Sequence, residues 1–323
     1  MYRSIAEVPP GSQDLLANDV RRRRRVQAAW FSLAEEFGYS EVVPPTFEYE
    51  EVFTRGAGPE LAERLIRFVD RDGRRVALRA DFTSAIARMA ATKLRDAPLP
   101  IRLCYAGKVY RQENEGGARR RETFQLGAEL IGDASPQADV EILRLAIRVL
   151  HDLGIRDFQI NVGDVRFVRP LLEELAPPAA ERLREAIDRK DRATLAAHAR
   201  EAGTSEAVQR VLTELPTLIG RSAVLLRAAT VAADSGADEA IQSLQDCDAL
   251  LTEQEKAHVV YDLGEVRGLG YYTGAQWEVF VAGVGKAVGF GGRYDGLLGL
   301  YGVDRPAVGF ALETDALADA LPV

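Results

Sequence analysis

Apolar residues recur at three- and four-residue steps from Leu15 to Phe37, where Val20, Val26, Trp30, Leu33, Ala34 and Phe37 mark one face of a helix. Gly38 ends that helix, and the residues after it predict a short strand that Pro44 and Pro45 stop. From Arg64 to Arg79 charged and apolar residues alternate around the turn Arg71-Asp72-Gly73-Arg74. This predicts a β-hairpin that pairs Ile66 to Asp70 with Arg75 to Arg79. A helix is expected over 81–94, and strands over 101–111 and 123–131 flank a polar loop containing Gly116-Gly117. Residues 138–153 form an amphipathic helix, followed by Gly154 and a strand over 158–162. Strand character returns at 259–263, 271–280, 287–290 and 307–312.

Between these groups the texture changes. From Ala176 to Ala257 alanine, leucine and charge dominate, and helical spacing recurs at Leu183 and Ile187, at Val208, Val211, Leu212 and Leu215, and at Val224 and Leu225. This segment reads as an inserted helical subdomain of 176–257, set between a first core part (1–175) and a second (258–323).

At 323 residues the chain is long enough for two globular units, or one large unit with an insertion. A hydrophobic share of 47% supports a substantial core, and a mean hydropathy of −0.13 is ordinary for a soluble protein. Cys104 and Cys247 lie far apart and outside any CxxC pair, which argues for a reducing, cytoplasmic setting over a disulfide framework. Met1-Tyr2-Arg3-Ser4 opens no apolar signal core, and no apolar run approaches membrane-spanning length. The net charge of −8 weighs mildly against a dedicated nucleic-acid binder. Arg21 to Arg25 form a run of five cations. As an anion- or RNA-binding surface they would need one face, but five consecutive helical residues point in all directions, so a solvated helix surface is the expectation.

Four segments carry candidate chemistry. In Leu78-Arg79-Ala80-Asp81-Phe82-Thr83, a carboxylate and a hydroxyl stand where a helix begins. They suit a primary ammonium group, or simply cap the helix. Cys104 to Glu113 contains Arg111, whose planar fork fits a carboxylate. It is followed by Arg121 to Glu129, in which Gln125, Gly127 and Glu129 share one face of a strand. Phe124, Leu126, Ala128 and Leu130 already supply the apolar face, so the polar one is more than a solvent-facing edge. The third segment is Glu265-Val266-Arg267-Gly268-Leu269-Gly270-Tyr271-Tyr272-Thr273-Gly274, and the fourth is Gly289-Phe290-Gly291-Gly292-Arg293-Tyr294-Asp295-Gly296-Leu297.

Together these segments resemble the catalytic core of the histidyl-tRNA synthetase family, a class II aminoacyl-tRNA synthetase fold. The first is similar to Leu-Arg-Pro-Glu-Gly-Thr, the second to class II motif 2, the third to Arg-Gly-Leu-Asp-Tyr-Tyr and the fourth to Gly-Gly-Arg-Tyr-Asp-Gly-Leu. The resemblance implies an α+β fold, a mostly antiparallel sheet flanked by helices, with the inserted helical subdomain. It also implies a pocket for free L-histidine. Asp81, Thr83 and Gln125 would take the ammonium, Arg111 and Arg267 the carboxylate, and Glu129 and Tyr272 the imidazole, with Tyr271 lining the pocket or packing below it. Gly127 would leave room between Gln125 and Glu129. Gly270 departs from the family's aspartate.

The nucleotide half departs further. The last family motif reads roughly Gly-Phe-Ala-(Met/Leu)-Gly-Leu-Glu-Arg-Leu, whereas this chain has Gly309-Phe310-Ala311-Leu312-Glu313-Thr314-Asp315-Ala316-Leu317. Ala316 cannot provide the arginine's charge and stacking over adenine, and Glu313 places an anion where the family has glycine. Arg111, Glu113 and Arg121 of that half are kept. A synthetase continues into an anticodon-binding domain, whereas this sequence runs only six residues past Leu317, so no such domain is expected. The segment 176–257 holds ten Lys and Arg against fourteen Asp and Glu, a surface that repels tRNA.

Such features resemble the synthetase paralogues that serve as regulatory subunits of ATP phosphoribosyltransferase. They imply no catalysis, no cofactor and no metal. The implied partner is a short-form ATP phosphoribosyltransferase catalytic subunit (HisG), with homodimers formed through the class II core inside a hetero-octamer. No tRNA or membrane partner is implied. Assembly would be required for activity of the catalytic subunit, and histidine binding would inhibit it by feedback. Two other readings stand beside this one: a histidine-activating synthetase-like enzyme, and a dimeric scaffold that senses no ligand. His151, His198 and His258 lie outside the four segments without metal-ligand spacing and read as structural or surface residues.

Overall fold

The computed structural model describes residues 7–56, 58–112, 120–173, 175–266 and 272–322. Helix α1 (Ala17–Glu36) buries Val26, Trp30, Leu33 and Ala34, the stripe its spacing marks. Gly38 closes it at φ 76°, in the left-handed region that glycine enters without steric cost. Then come β1 (Ser40–Glu41), β2 (Phe47–Tyr49), the short helices α2 (Glu50–Gly56) and α3 (Gly58–Glu63), and strands β3 (Arg67–Val69) and β4 (Arg75–Leu78). The predicted hairpin is present, with Arg67 opposite Ala77 and Val69 opposite Arg75. β2 adds antiparallel to the free edge of β4 and completes a small sheet.

The chain continues through α4 (Thr83–Lys93), β5 (Ile101–Tyr110), β6 (Glu122–Ile131), α5 (Pro136–Asp152) and β7 (Phe158–Asp164). A helical stretch follows: α6 (Val165–Glu173), α7 (Pro177–Asp188), α8 (Arg192–Glu201), α9 (Glu206–Glu214), then β8 (Ile219–Gly220), α10 (Ala223–Val231), α11 (Asp238–Leu250) and α12 (Glu253–Lys256). It leads into β9 (Val259–Asp262), β10 (Ala275–Val281), β11 (Gly289–Arg293), β12 (Ala307–Glu313) and α13 (Thr314–Ala320).

Among the described residues the main sheet has nine strands in the order β1-β5-β6-β12-β11-β10-β7-β9-β8. Only β1 with β5 and β7 with β9 run parallel, so the sheet is mostly antiparallel and the fold is α+β. Alternation along the strands gives the sheet two differently dressed faces. On one, Leu126, Ala128 and Leu130 of β6, Phe310 and Leu312 of β12, and Trp277 of β10 join Trp30 and the buried stripe of α5 in the main core. Leu183, Leu195, Val211 and Leu244 of the helical stretch belong to the same cluster. Lys190 Nζ, in that stretch, donates to Asp262 Oδ1 at 2.8 Å and ties it to β9. The second face carries a smaller cluster in which Phe82, just before α4, and Ile86 of α4 cover Leu103 and Tyr105 of β5, with Tyr294 beside them.

The arginine run divides between two roles. Arg24 and Arg25 are exposed, as expected of a solvated helix surface. Arg22 Nε instead donates to the Ala318 carbonyl at 2.7 Å, and Arg23 Nε donates to Asp315 Oδ1 at 2.8 Å. Those two bonds fasten α1 to α13.

Candidate functional site

The second face of the sheet carries the polar residues that alternation separates from the core. Register stacks three cross-strand pairs along β6 and β12: Glu129 opposite Gly309, Gly127 opposite Ala311, and Gln125 opposite Glu313. Four residues of strand separate the first level from the last, roughly 13 Å. A cavity of about 190 Å³ lies over this row, lined by Asp81, Thr83, Tyr105, Arg111, Gln125, Tyr272, Phe290, Tyr294 and Glu313 among others.

Glu129 lies behind the deep end, beneath the lining residues Thr83 and Tyr294, and is 1% exposed. Thr83 Oγ1 donates to its Oε1 at 2.7 Å, and the Tyr294 hydroxyl donates to its Oε2. Burial pushes this carboxyl up to about 8, helped by the charge of Asp81, while the hydroxyls of Tyr294, Thr83 and Tyr105 oppose the shift. A carboxyl poised there can accept an N–H or exchange a proton with a base such as imidazole. Burial likewise raises the phenols of Tyr105 and Tyr272, keeping both as neutral hydroxyls.

Asp81 and Arg111 stand beside the cavity. Asp81 Oδ1 accepts from Ser84 N at 2.8 Å, so the residue does cap α4 as well as facing the cavity. Burial raises its carboxyl, and the Ser84 N–H and the Arg111 charge pull it back. Arg111 Nε donates to the Ala80 carbonyl at 2.9 Å, which holds the guanidinium next to Asp81. Gln125 is buried rather than solvent-facing, at 7% exposure.

Three glycines shape the site by making way for side chains. A Cβ at Gly309 would run into the Glu129 carboxylate. At Gly127 it would strike the Tyr105 hydroxyl and the Phe310 carbonyl, so the room above Gly127 is taken by Tyr105, not left open between Gln125 and Glu129. At Gly292 it would meet the Tyr272 ring at 2.7 Å.

The structure therefore gathers Asp81, Thr83, Arg111, Gln125 and Tyr272 around the cavity, with Glu129 bonded to two of its lining hydroxyls. Arg267 and Tyr271, and Glu113 of the nucleotide half, lie outside the described residues. Sequence reasoning gave no site role to Tyr105 or Tyr294. Both stand in the quoted segments, and the tyrosine of Gly-Gly-Arg-Tyr-Asp was the available signal.

At the outer end, Glu313 forms part of the wall, and Lys286 Nζ donates to its Oε2 at 2.5 Å from the solvent side. Ala316 is packed at the edge of the main core. Its neighbour Asp315 holds Arg23 at 2.7 Å and Arg120 at 3.1 Å. Away from the cavity, His151 and His258 come together edge to face, 4.9 Å between ring centres. Among the described residues no group of three or more His, Cys, Asp or Glu could hold a metal ion. No helix there is long and apolar enough to cross a membrane.

Comparison with known proteins identifies the family and the fold. The family model described as histidyl-tRNA synthetase matches residues 11–317. An ATP phosphoribosyltransferase regulatory subunit of Geobacter sulfurreducens is 39% identical over 320 residues, covering 98% of this chain and 73% of that one. A solved structure of an ATP phosphoribosyltransferase regulatory subunit/histidyl-tRNA synthetase from Bacillus halodurans superposes with a TM-score of 0.90 at 29% identity, over 100% of this chain and 85% of the other. A histidine–tRNA ligase subunit from Alicyclobacillus acidocaldarius gives 0.81 at 30% identity, over 99% and 98%.

Proposed function

The chain belongs to the histidyl-tRNA synthetase family, among the ATP phosphoribosyltransferase regulatory subunits, and from that premise we propose that it is a non-catalytic sensor of L-histidine. It binds the free amino acid in the cavity over β6 and β12 and, in complex with a short-form catalytic subunit, carries feedback inhibition of the first step of histidine biosynthesis. One observation carries this reading: two hydroxyls of the cavity wall, Thr83 and Tyr294, hold the buried Glu129 carboxyl directly behind it, and the Glu313 carboxylate stands in the wall at its outer end. The deep end suits an imidazole N–H. Asp81, Thr83 and Gln125 suit the ammonium and Arg111 the carboxylate, with Arg267, Tyr271 and Tyr272 completing the pocket. The outer end suits no triphosphate, because Glu313 stands in the wall and Ala316 offers no cation.

In this role the protein is a cytoplasmic homodimer through its class II core, assembled with catalytic subunits in a hetero-octamer. Histidine inhibits by binding the inhibited arrangement more tightly than the active one. Calorimetry with L-histidine and with ATP–Mg²⁺ tests the pocket, and histidine titration of the purified complex tests the regulation. Histidine binding without ATP binding is expected, together with loss of phosphoribosyl transfer as histidine rises. Histidine-dependent ATP–pyrophosphate exchange would replace this reading with a histidine-activating enzyme. No heat at millimolar histidine would leave a scaffold.

A further inference from the structure

The outer end of the cavity has a chemistry of its own. Glu313 and Gln125 face one another across β12 and β6, four residues beyond the Glu129 level, and both line the cavity. Phe290 is directly opposite Ala311 on the adjoining strand and forms the remaining wall there, 45% exposed. Glu313 is the enclosed member of its ion pair: its side chain is 18% exposed, whereas that of Lys286 is 59% exposed and lies toward solvent. Glu313 lines the cavity and Lys286 is not among its lining residues, so a group seated inside the outer end faces the carboxylate. Free histidine is shorter than the row from Glu129 to Glu313, so with its imidazole toward Glu129 its carboxylate falls short of the Glu313 level. A ligand that keeps the imidazole and ammonium but carries a longer, more highly charged anion extends into the Glu313 carboxylate.

We infer that Glu313 is a specificity residue that makes the cavity reject phosphate monoesters of histidine-like amines while admitting the amino acid. A phosphate monoester carries about −1.5 to −2 charges at neutral pH, against one for a carboxylate. The repulsion acts at a partly solvated opening, so it is moderate and screened by salt. The inference rests on the proposed histidine pocket and adds to it a rule for what the pocket refuses.

Three probes share the imidazole and ammonium and differ in the third group: L-histidine (carboxylate), L-histidinol (neutral hydroxymethyl) and L-histidinol phosphate (phosphate monoester). Their Kd values are measured at low and moderate salt for the wild type, Glu313→Gln and Lys286→Met. We expect the phosphate-to-hydroxymethyl Kd ratio to fall about tenfold in Glu313→Gln and to rise in Lys286→Met, which leaves the carboxylate without its counter-ion. Added salt should shrink both differences. An unchanged ratio in a folded Glu313→Gln variant overturns the inference and leaves the histidine pocket standing. Should that variant fail to fold, Lys286→Met decides, and a ratio that does not rise overturns the inference. Failure of the wild type to bind L-histidine removes the pocket reading, and this inference with it.

Discussion

Glu129 and Gly309 face one another across β6 and β12, and the Glu129 carboxylate occupies the space that any side chain at 309 would need. The glycine is therefore a condition for the buried carboxyl to reach Thr83 and Tyr294 at the same time. Gly309→Ala should displace Glu129 from both hydroxyls. We expect a destabilisation of about 1–3 kcal/mol from overpacking, with histidine affinity falling at least tenfold. Urea melts and calorimetry check the two effects. Full histidine affinity in the alanine variant would place the ligand elsewhere.

The raised carboxyl of Glu129 has a consequence for stability. Its folded value of about 8 lies above the ordinary carboxyl value of 4.5, so between those limits the folded chain holds a proton that the unfolded chain has released. Stability from this group is complete below about pH 4.5, declines as pH rises toward 8, and is flat above. Glu129→Gln keeps the shape and removes the titration. The stability difference between variant and wild type should therefore grow in the variant's favour from pH 5 to pH 8. Urea midpoints at those two pH values test this, and a constant difference would show that Glu129 is not titrating in that window.

A second buried charge ties β11 to α5 and the turn that precedes it. Arg293, just after the paired glycines of β11, meets Asp139 of α5 at 2.7 Å and donates to the carbonyls of Asp133 at 3.1 Å and Ser135 at 3.3 Å. Burial raises the Asp139 carboxyl to about 6 even with Arg293 beside it. Arg293→Ala leaves that carboxyl buried without its cation, a change that typically costs about 3–5 kcal/mol. Arg293→Lys should recover only part, because an ammonium cannot serve the carboxylate and two carbonyls in one plane. Denaturant midpoints rank the three proteins, and a lysine variant equal to wild type would reduce the site to a simple charge.

Much of this was legible in the sequence where one element decides the outcome. The stripe Val26, Trp30, Leu33, Ala34 announced the buried face of α1, and Gln125 to Glu129 announced a polar strand face backed by an apolar one. Tyr294 escaped notice as the partner of Glu129 because the two lie 165 positions apart and only sheet register brings them together. The space over Gly127 is filled for the same reason, since Tyr105 reaches over it from the neighbouring strand. β2 and β8, with three and two residues, are too short for alternation to declare itself. Arg22 and Arg23 were inseparable from their neighbours until α13 supplied the carbonyl and carboxylate they hold.

The final prediction separates sensing from assembly. Glu129 is fully enclosed on the cavity side of β6, so its removal alters no surface that a catalytic subunit can touch. Glu129→Ala should therefore copurify with the short-form catalytic subunit as the wild type does. It should lose histidine inhibition, because the imidazole has no acceptor at the deep end and Thr83 and Tyr294 have lost theirs. Phosphoribosyl transfer by the complex is measured against histidine concentration, alongside size-exclusion profiles. An inhibition curve that overlays the wild type would show that histidine acts from another site. Loss of copurification would show instead that the cavity and the assembly surface are mechanically one.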